Sequence, residues 1–137
     1  MSVKVLARIG TEKYYTEVTA GKNKIITDEP LDKGGQDKGF NPFELLAASL
    51  ATCTAATLRM YIDRKGWSVP EIDVEVEMEN YPQTKNTLFT RKISYGDALL
   101  GAEQLARLHH IADACPVHKM LHGNMEINTL FLEKQEL

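Results

Sequence analysis

Cysteine is scarce in this sequence, because the 137 residues contain only Cys53 and Cys115. Small domains that depend on a disulfide framework carry cysteine at a much higher density, so this class of protein is excluded. A chain of this length predicts a single domain, residues 1–137, that buries a core of its own. The two cysteines are therefore inert core residues, metal ligands or redox groups.

Long apolar runs and concentrated positive charge are also absent. The longest uncharged apolar stretch, residues 45–58, is shorter than the roughly 20 residues that a membrane-spanning helix needs. No secretory leader is expected at the N-terminus. The net charge is −3, with lysine and arginine dispersed along the chain, whereas nucleic-acid binding needs a concentrated positive field. The sequence thus predicts a cytoplasmic protein that binds neither membranes nor nucleic acid.

The hydrophobic pattern predicts an α+β fold with mainly antiparallel sheet. Several segments alternate polar and apolar residues or are rich in β-branched and aromatic ones, as strands are. Strands are predicted at 3–9, 14–19, 24–27, 73–79, 87–95 and 125–132. A loop is expected at 28–40, and two shorter helices at 102–112 and 117–121. Strands that flank a long helix and return after it are typical of the α+β class.

A long central helix is predicted at residues 41–66, between an N-terminal region (1–40) and a second sheet with its helices and final strand (67–137). Asn41 is a preferred N-cap, Glu44 at N3 completes a capping box, and Gly66 is a typical C-terminal stop. Before its last turn the helix carries only the charges of Glu44 and Arg59. A helix that is apolar on every side is buried on every side, so we expect a second subunit to cover it.

The local settings of the two cysteines differ. Cys115 precedes Pro116 at the start of a predicted short helix, where backbone N–H groups and the helix dipole favour a thiolate. His118 follows three residues later. The alternative is that Cys115 only caps the helix and is not reactive. Cys53 lies among small residues in the middle of the central helix, which is typical of an inert buried cysteine.

To act as a thiolate, Cys53 needs a nearby cation, and the spacing leaves its identity open. Arg59 lies about 240° around the helix and about 9 Å along its axis from Cys53, so the two do not share a face. Arg8, next to the N-terminal hairpin turn, is the one arginine that precedes Arg59 in the sequence. Glu44 lies on the opposite side of the helix, about 13.5 Å away along the axis, so it joins the site only by orienting a cation or from a second subunit.

A zinc site is an alternative interpretation of the histidines. Cys115, His118 and His122 have the spacing C-x2-H-x3-H, and His109 or His110 would add a fourth ligand. No paired Cys-x-x-Cys accompanies them. We therefore predict neither a metal nor a cofactor.

Two segments carry a family resemblance. Gly34-Gly35, the run 41–48 and Ala51-Thr52-Cys53-Thr54 resemble the central-helix signature of the OsmC/Ohr family (osmotically inducible protein C and organic hydroperoxide resistance protein). The run 114–119 resembles the second-cysteine motif of that family. The order of elements matches along essentially the whole chain. The resemblance implies an intertwined homodimer in which antiparallel sheets wrap around two long central helices, with active sites at the subunit interface.

The resemblance also implies thiol-dependent reduction of organic hydroperoxides. Cys53 would be the peroxidatic cysteine and Cys115 the resolving one, which reverses the order of reactivity that the local settings favour. An external dithiol, of lipoyl type in some members, would reduce the resulting disulfide. Neither metal nor cofactor takes part.

The chain departs from the hydroperoxidases of the family at two places. Phe43 stands where they have a glutamate, and Glu44 follows it, about 100° further around the helix. The hydroperoxidases also have an arginine inside the hairpin turn, whereas here Arg8 precedes the turn. The predicted site therefore consists of Cys53 and Cys115 with Glu44 and Arg8, although these last two do not stand at the positions of the family's acid and arginine. With Phe43-Glu44 the sequence resembles the broader OsmC-like branch of the family. The alternative function is non-enzymatic binding of a small apolar or lipid-like ligand at the dimer interface.

Overall fold

The computed structural model describes residues 1–132. The described part folds into strands β1 (Leu6–Ile9), β2 (Thr16–Ala20), β3 (Asn23–Thr27), β4 (Asp73–Tyr81) and β5 (Asn86–Ser94), and helices α1 (Pro42–Lys65), α2 (Ala102–Asp113) and α3 (Pro116–His122). Strands β1, β2 and β3 form one antiparallel sheet, and β4 and β5 form a second. The predicted α+β class with antiparallel sheets is confirmed.

Helix α1 begins and ends at the predicted caps. The Asn41 side chain accepts the N–H of Glu44 at 2.8 Å, and the Glu44 carboxylate accepts the N–H of Asn41 at 2.9 Å. These two bonds satisfy donors that the first helical turn leaves free. Gly66 ends the helix in the left-handed conformation, with φ 71°. Such local signals lie within a few residues, which is why the sequence predicts them well.

The core forms where α1 packs against β4, α2 and α3. Leu58 and Ile62 of α1 and Leu108 of α2 have no exposed surface. On β4, alternate residues turn toward α1 and the acidic residues between them face outward, as the period of two predicts. Helix α1 buries one stripe of its surface in this way, while apolar residues on its other side, such as Phe43 and Met60, stay exposed.

The N-terminal sheet is joined to α1 by a loop that Asp28 organises. The strands of this sheet pack mainly on one another. The Asp28 carboxylate is buried and accepts four backbone N–H groups at 2.8 to 3.3 Å. Burial raises the pKa of Asp28, but these four N–H donors outweigh it and hold the pKa below its ordinary value.

The strand predicted at residues 125–132 is wrong for the single chain. These residues form no strand and pair with neither of the described sheets. Alternation sets which side chains share a face, but a strand also needs a neighbour to take its backbone hydrogen bonds. Ile127 and Phe131 are instead 90% and 96% exposed. The rest of the predicted C-terminal region, 133–137, lies outside the described residues.

Candidate functional site

The two cysteines, far apart in sequence, meet in the fold. Cys53 lies half-buried in the middle of α1, whereas Cys115 immediately precedes α3 and has no exposed surface. Because α3 packs on α1, the Cys53 thiol comes within hydrogen-bonding reach of the Cys115 sulfur. The arrangement is a pair of neighbouring free thiols.

The pair carries a negative charge more readily on Cys115 than on Cys53. Burial raises the pKa of Cys115, but the Cys53 thiol, the N–H groups of His118 and Val117 and the Thr54 hydroxyl bring it below its ordinary value. Burial and the neighbouring Cys115 raise the pKa of Cys53. Two thiols this close share their first ionisation. When the pair ionises, therefore, the proton leaves Cys115 more readily than Cys53.

Arg91 of β5 lies beside this pair, and our sequence reasoning missed it. Its side chain is only 12% exposed. Nη1 donates to Thr54 Oγ1 and to the Ala112 carbonyl oxygen, both at 3.0 Å. Nη2 donates to Asp113 Oδ1 at 3.0 Å and to His118 Nδ1 at 2.7 Å. The guanidinium thus contacts α1, the end of α2 and α3 at once.

The alternation of β5 contained a signal for this arginine. Phe89, Arg91 and Ile93 turn inward, while the residues between them are exposed. An arginine on an otherwise apolar inward face is stable only with specific partners, so its position marks a polar cluster. Arg91 is far from Cys53 along the chain, and only the fold brings β5 to the cysteines.

His118 is held as a neutral ring by its contact with Arg91. A guanidinium has no acceptor, so Nδ1 of His118 accepts the bond and Nε2 carries the hydrogen. Burial and then the charge of Arg91 lower the pKa of His118. Among residues 1–132, no group of three or more His, Cys, Asp or Glu side chains is placed to hold a metal ion. Cys115, His118 and His122 therefore do not form a zinc centre of the kind that their spacing suggested.

Arg8 and Glu44 are not brought to the cysteine pair within one chain. Arg8 is exposed on β1, opposite Glu17 of β2. Glu44 is exposed at the start of α1, where its carboxylate accepts the N–H of Asn41. Their part in the site stays a prediction, and one that needs a second copy of the chain.

An open groove lies beside the site between α1, β5 and α3. Its volume is about 640 Å³, and its walls are both apolar and polar. The lining includes Leu46, Leu50, Phe89, Arg91, His118, Leu121 and Met125. Leu46 and Leu50 lie seven and three residues before Cys53, on the same face of α1. Neither cysteine lines this groove, nor another hollow of about 670 Å³ between Trp67 and Gln104.

Residues 35–130 match the family model described as OsmC-like protein. The chain belongs to the OsmC-like family. Among solved structures, a Psychrobacter arcticus 273-4 protein, provisionally assigned to the osmotic stress and detoxification response, superposes with a TM-score of 0.75. The two are 23% identical, and the match covers 88% of each chain. The organic hydroperoxide resistance protein OhrB of Bacillus subtilis superposes with a TM-score of 0.59 at 23% identity, over 90% of this chain and 93% of that one.

One curated protein is similar in sequence over most of the chain. Uncharacterized protein YmaD of Bacillus subtilis (strain 168) is 25% identical over 108 residues, which are 72% of this chain and 71% of YmaD. The family resemblance in the sequence is thereby confirmed, and the α+β architecture is that of OsmC/Ohr structures. Membership suggests a redox or peroxide-resistance role. Helix α1 is long and apolar enough to cross a membrane, but as the core helix of this fold it is no sign of a membrane protein.

Proposed function

We propose that this OsmC-like protein reduces organic hydroperoxides through Cys53 and Cys115, in cytoplasmic defence against oxidative stress. The observation that carries the proposal is the contact between the half-buried Cys53 and the fully buried Cys115. Two thiols in contact can form a disulfide with little movement of the chain, and in a reducing cytosol such a bond is transient and catalytic. The name of the relative OhrB supports the substrate class.

Cys53 is the sulfur that the hydroperoxide reaches, because Cys115 has no exposed surface. The Cys115 thiolate first takes the proton of Cys53. The Cys53 thiolate then attacks the distal peroxide oxygen, so that an S–O bond forms as the O–O bond breaks. The leaving alkoxide takes the proton held by Cys115 and departs as an alcohol. Cys115 thus acts as general base and then as general acid.

Cys115 then resolves the oxidised site. Its thiolate attacks the sulfur of the Cys53 sulfenic acid, the S–S bond forms, and hydroxide leaves and becomes water by taking from solvent the proton that Cys115 released when it ionised. In total the dithiol loses two electrons and two hydrogens, and the hydroperoxide becomes alcohol and water. An external dithiol, of lipoyl type, reduces the disulfide by thiol exchange. The cycle uses neither metal nor cofactor.

The groove beside Arg91 and His118 supports a substrate with an apolar body. Leu46, Leu50 and Leu121 offer apolar surface, and Arg91 and His118 offer polar groups in the same groove. Mixed linings of this kind bury an apolar ligand and orient its polar end. We therefore propose alkyl or aryl hydroperoxides, rather than hydrogen peroxide alone, as substrates.

We propose that the working unit is an intertwined homodimer. Exposed apolar side chains on α1 and after α3, including Phe43, Met60 and Ile127, need cover that residues 1–132 of one chain do not supply. Segment 125–132 would find its strand partner in the second copy. The same assembly is what would bring Arg8 and Glu44 to a cysteine pair.

Turnover measurements test the proposed activity. Wild-type protein is supplied with cumene hydroperoxide and excess dihydrolipoamide, and hydroperoxide consumption is followed. We expect catalytic consumption that Cys53→Ser abolishes. Thr52→Ser is the matched control, because Thr52 is exposed and its hydroxyl bonds only to backbone carbonyls of its own helix. Wild-type protein that consumes no hydroperoxide above the rate without protein would overturn the proposal.

Binding without catalysis is the second candidate, and the same groove favours it. Native mass spectrometry of the freshly purified protein, with and without added fatty acids and lipids, measures retained ligand. A stoichiometric apolar ligand on a protein without hydroperoxide turnover would support the binder. No ligand across the panel would reject it.

A further inference from the structure

One guanidinium connects the three helices around the cysteine pair. Arg91 Nη1 donates to Thr54 Oγ1 in α1 and to the Ala112 carbonyl at the end of α2, both at 3.0 Å. Its Nη2 lies 2.7 Å from Nδ1 of His118 in α3. A planar fork with fixed donor directions is suited to holding several groups in one geometry.

These contacts surround the cysteines on both sides. Thr54 directly follows Cys53, and Cys115 lies in sequence between Ala112 and Asp113 on one side and His118 on the other, which are the other three partners of Arg91. The guanidinium therefore ties the segment that carries Cys115 to the turn of α1 that carries Cys53. The Arg91 side chain is 12% exposed, and an arginine that is buried to this extent keeps its place only if its partners are held as well.

Thr54 adds a direct connection to the sulfur of Cys115. It has no exposed surface, and its single hydroxyl hydrogen can go to the Leu50 carbonyl, at 2.7 Å, or to Cys115. The bond from Arg91 occupies one lone pair of the same oxygen. A donor chain of this kind polarises the hydroxyl and makes it a stronger donor to a thiolate.

We propose that Arg91 is the positioning residue of the cysteine pair, which keeps the two sulfurs within bonding reach by clamping the flanks of Cys115 to α1. Arg91 acts through Thr54, Ala112 and His118 and not on the hydroperoxide. The inference rests on the proposed redox role of the pair, but its tests use no hydroperoxide.

Glutathione equilibrium measures how well the two sulfurs are positioned. The protein dithiol and glutathione disulfide exchange to give the protein disulfide and two glutathione thiols, and the equilibrium ratio reports the effective concentration of one cysteine toward the other. We expect Arg91→Met to lower this effective concentration about tenfold or more, because small misplacements of reacting groups are costly. Arg91→Lys keeps the charge but loses the forked guanidinium, so its effective concentration should lie between those of wild type and Arg91→Met.

Arg107→Met is the matched control, because Arg107 donates to the Tyr61 hydroxyl at 3.2 Å and not to the cysteine cluster. It should keep the wild-type effective concentration. A second readout is the carbon-13 NMR titration of the cysteine Cβ atoms. In Arg91→Met and in Thr54→Val, the pKa of Cys115 should rise, which a loss of general stability would not produce.

A folded Arg91→Met protein whose effective concentration stays within about twofold of wild type would overturn the inference. If Arg91→Met does not fold, Thr54→Val decides, since it removes the link to α1 alone; wild-type values in that variant would overturn the inference as well. A protein without hydroperoxide turnover that still shows the Arg91 effect would reject the proposed function and keep this inference. Normal turnover without the Arg91 effect would do the reverse.

Discussion

The thiol of Cys53 in α1 meets the sulfur of Cys115 at the start of α3, and the buried sulfur is the one that favours the negative charge. Cys53, the more accessible sulfur, is therefore not the one that is most readily ionised. Accessibility and ionisation work together if Cys115 takes the proton of Cys53 as the hydroperoxide arrives. Cys115 then serves as the base and Cys53 as the nucleophile of one reaction.

Replacing Cys115 should stop the reaction halfway. In Cys115→Ser, one equivalent of cumene hydroperoxide should oxidise Cys53 to a sulfenic acid that cannot be resolved. Intact mass should rise by about 16 Da, and a dimedone adduct should map to Cys53. In Cys53→Ser, the buried Cys115 should stay reduced over the same time. A dimedone adduct on Cys115 in Cys53→Ser would contradict the assigned roles.

Acid should weaken the cluster around Arg91. The pKa of His118 lies below its ordinary value of about 6.5, because burial and Arg91 disfavour the charged ring. The unfolded chain therefore binds this proton more readily, and stability present above about pH 6.5 is lost as the pH falls through the lowered pKa.

Chemical denaturation at about pH 7 and about pH 5 measures this loss. His118→Gln can still accept the bond from Arg91 but cannot titrate, so its stability should fall less between the two conditions. His110→Gln is the control and should follow wild type. An equal fall in wild type and His118→Gln would contradict the assigned role of His118.

Charges placed after α3 should weaken the dimer. Ile127 and Phe131 are almost fully exposed in one chain, and the proposed strand would bury them against the second copy. Ile127→Asp and Phe131→Asp should each weaken dimerisation about tenfold or more, because an unpaired charge would be buried. Analytical ultracentrifugation over a dilution series measures this. Leu99→Asp, at a loop position that is 98% exposed, should leave the dimer unchanged; a wild-type monomer at all concentrations would contradict the proposed assembly.

The loop before α1 should depend on one carboxylate. Asp28→Asn replaces one acceptor oxygen by an amide nitrogen that cannot accept, which leaves two backbone N–H groups without their partner. The melting temperature should fall, and amide exchange in residues 28–40 should become faster. Asp37→Asn is the control, since Asp37 is exposed and asparagine tolerates its φ of 54°. Unchanged exchange in Asp28→Asn would show that the carboxylate does not organise the loop.

Features that depend on neighbouring residues were predictable from the sequence. The caps of α1 at Asn41 and Gly66 and the inward face of β4 follow from signals within a few positions. The two cysteines stood out through their surrounding motifs.

Features that depend on distant parts of the fold were not predictable in this way. Arg91 reaches the cysteines from a strand far along the chain, and only the packing of β5 reveals it. Segment 125–132 has the alternation of a strand, but the strand requires a partner that the described part of one chain does not provide. The proposed places of Arg8 and Glu44 depend on a second copy for the same reason.

The most direct test of the account is a single-turnover oxidation of the reduced wild-type protein. One equivalent of cumene hydroperoxide is added, and intact mass, free thiols and disulfide-linked peptides are measured. If the proposed cycle is right, both thiols disappear, the mass falls by about 2 Da, and Cys53 is linked to Cys115. Two free thiols and an unchanged mass would contradict it.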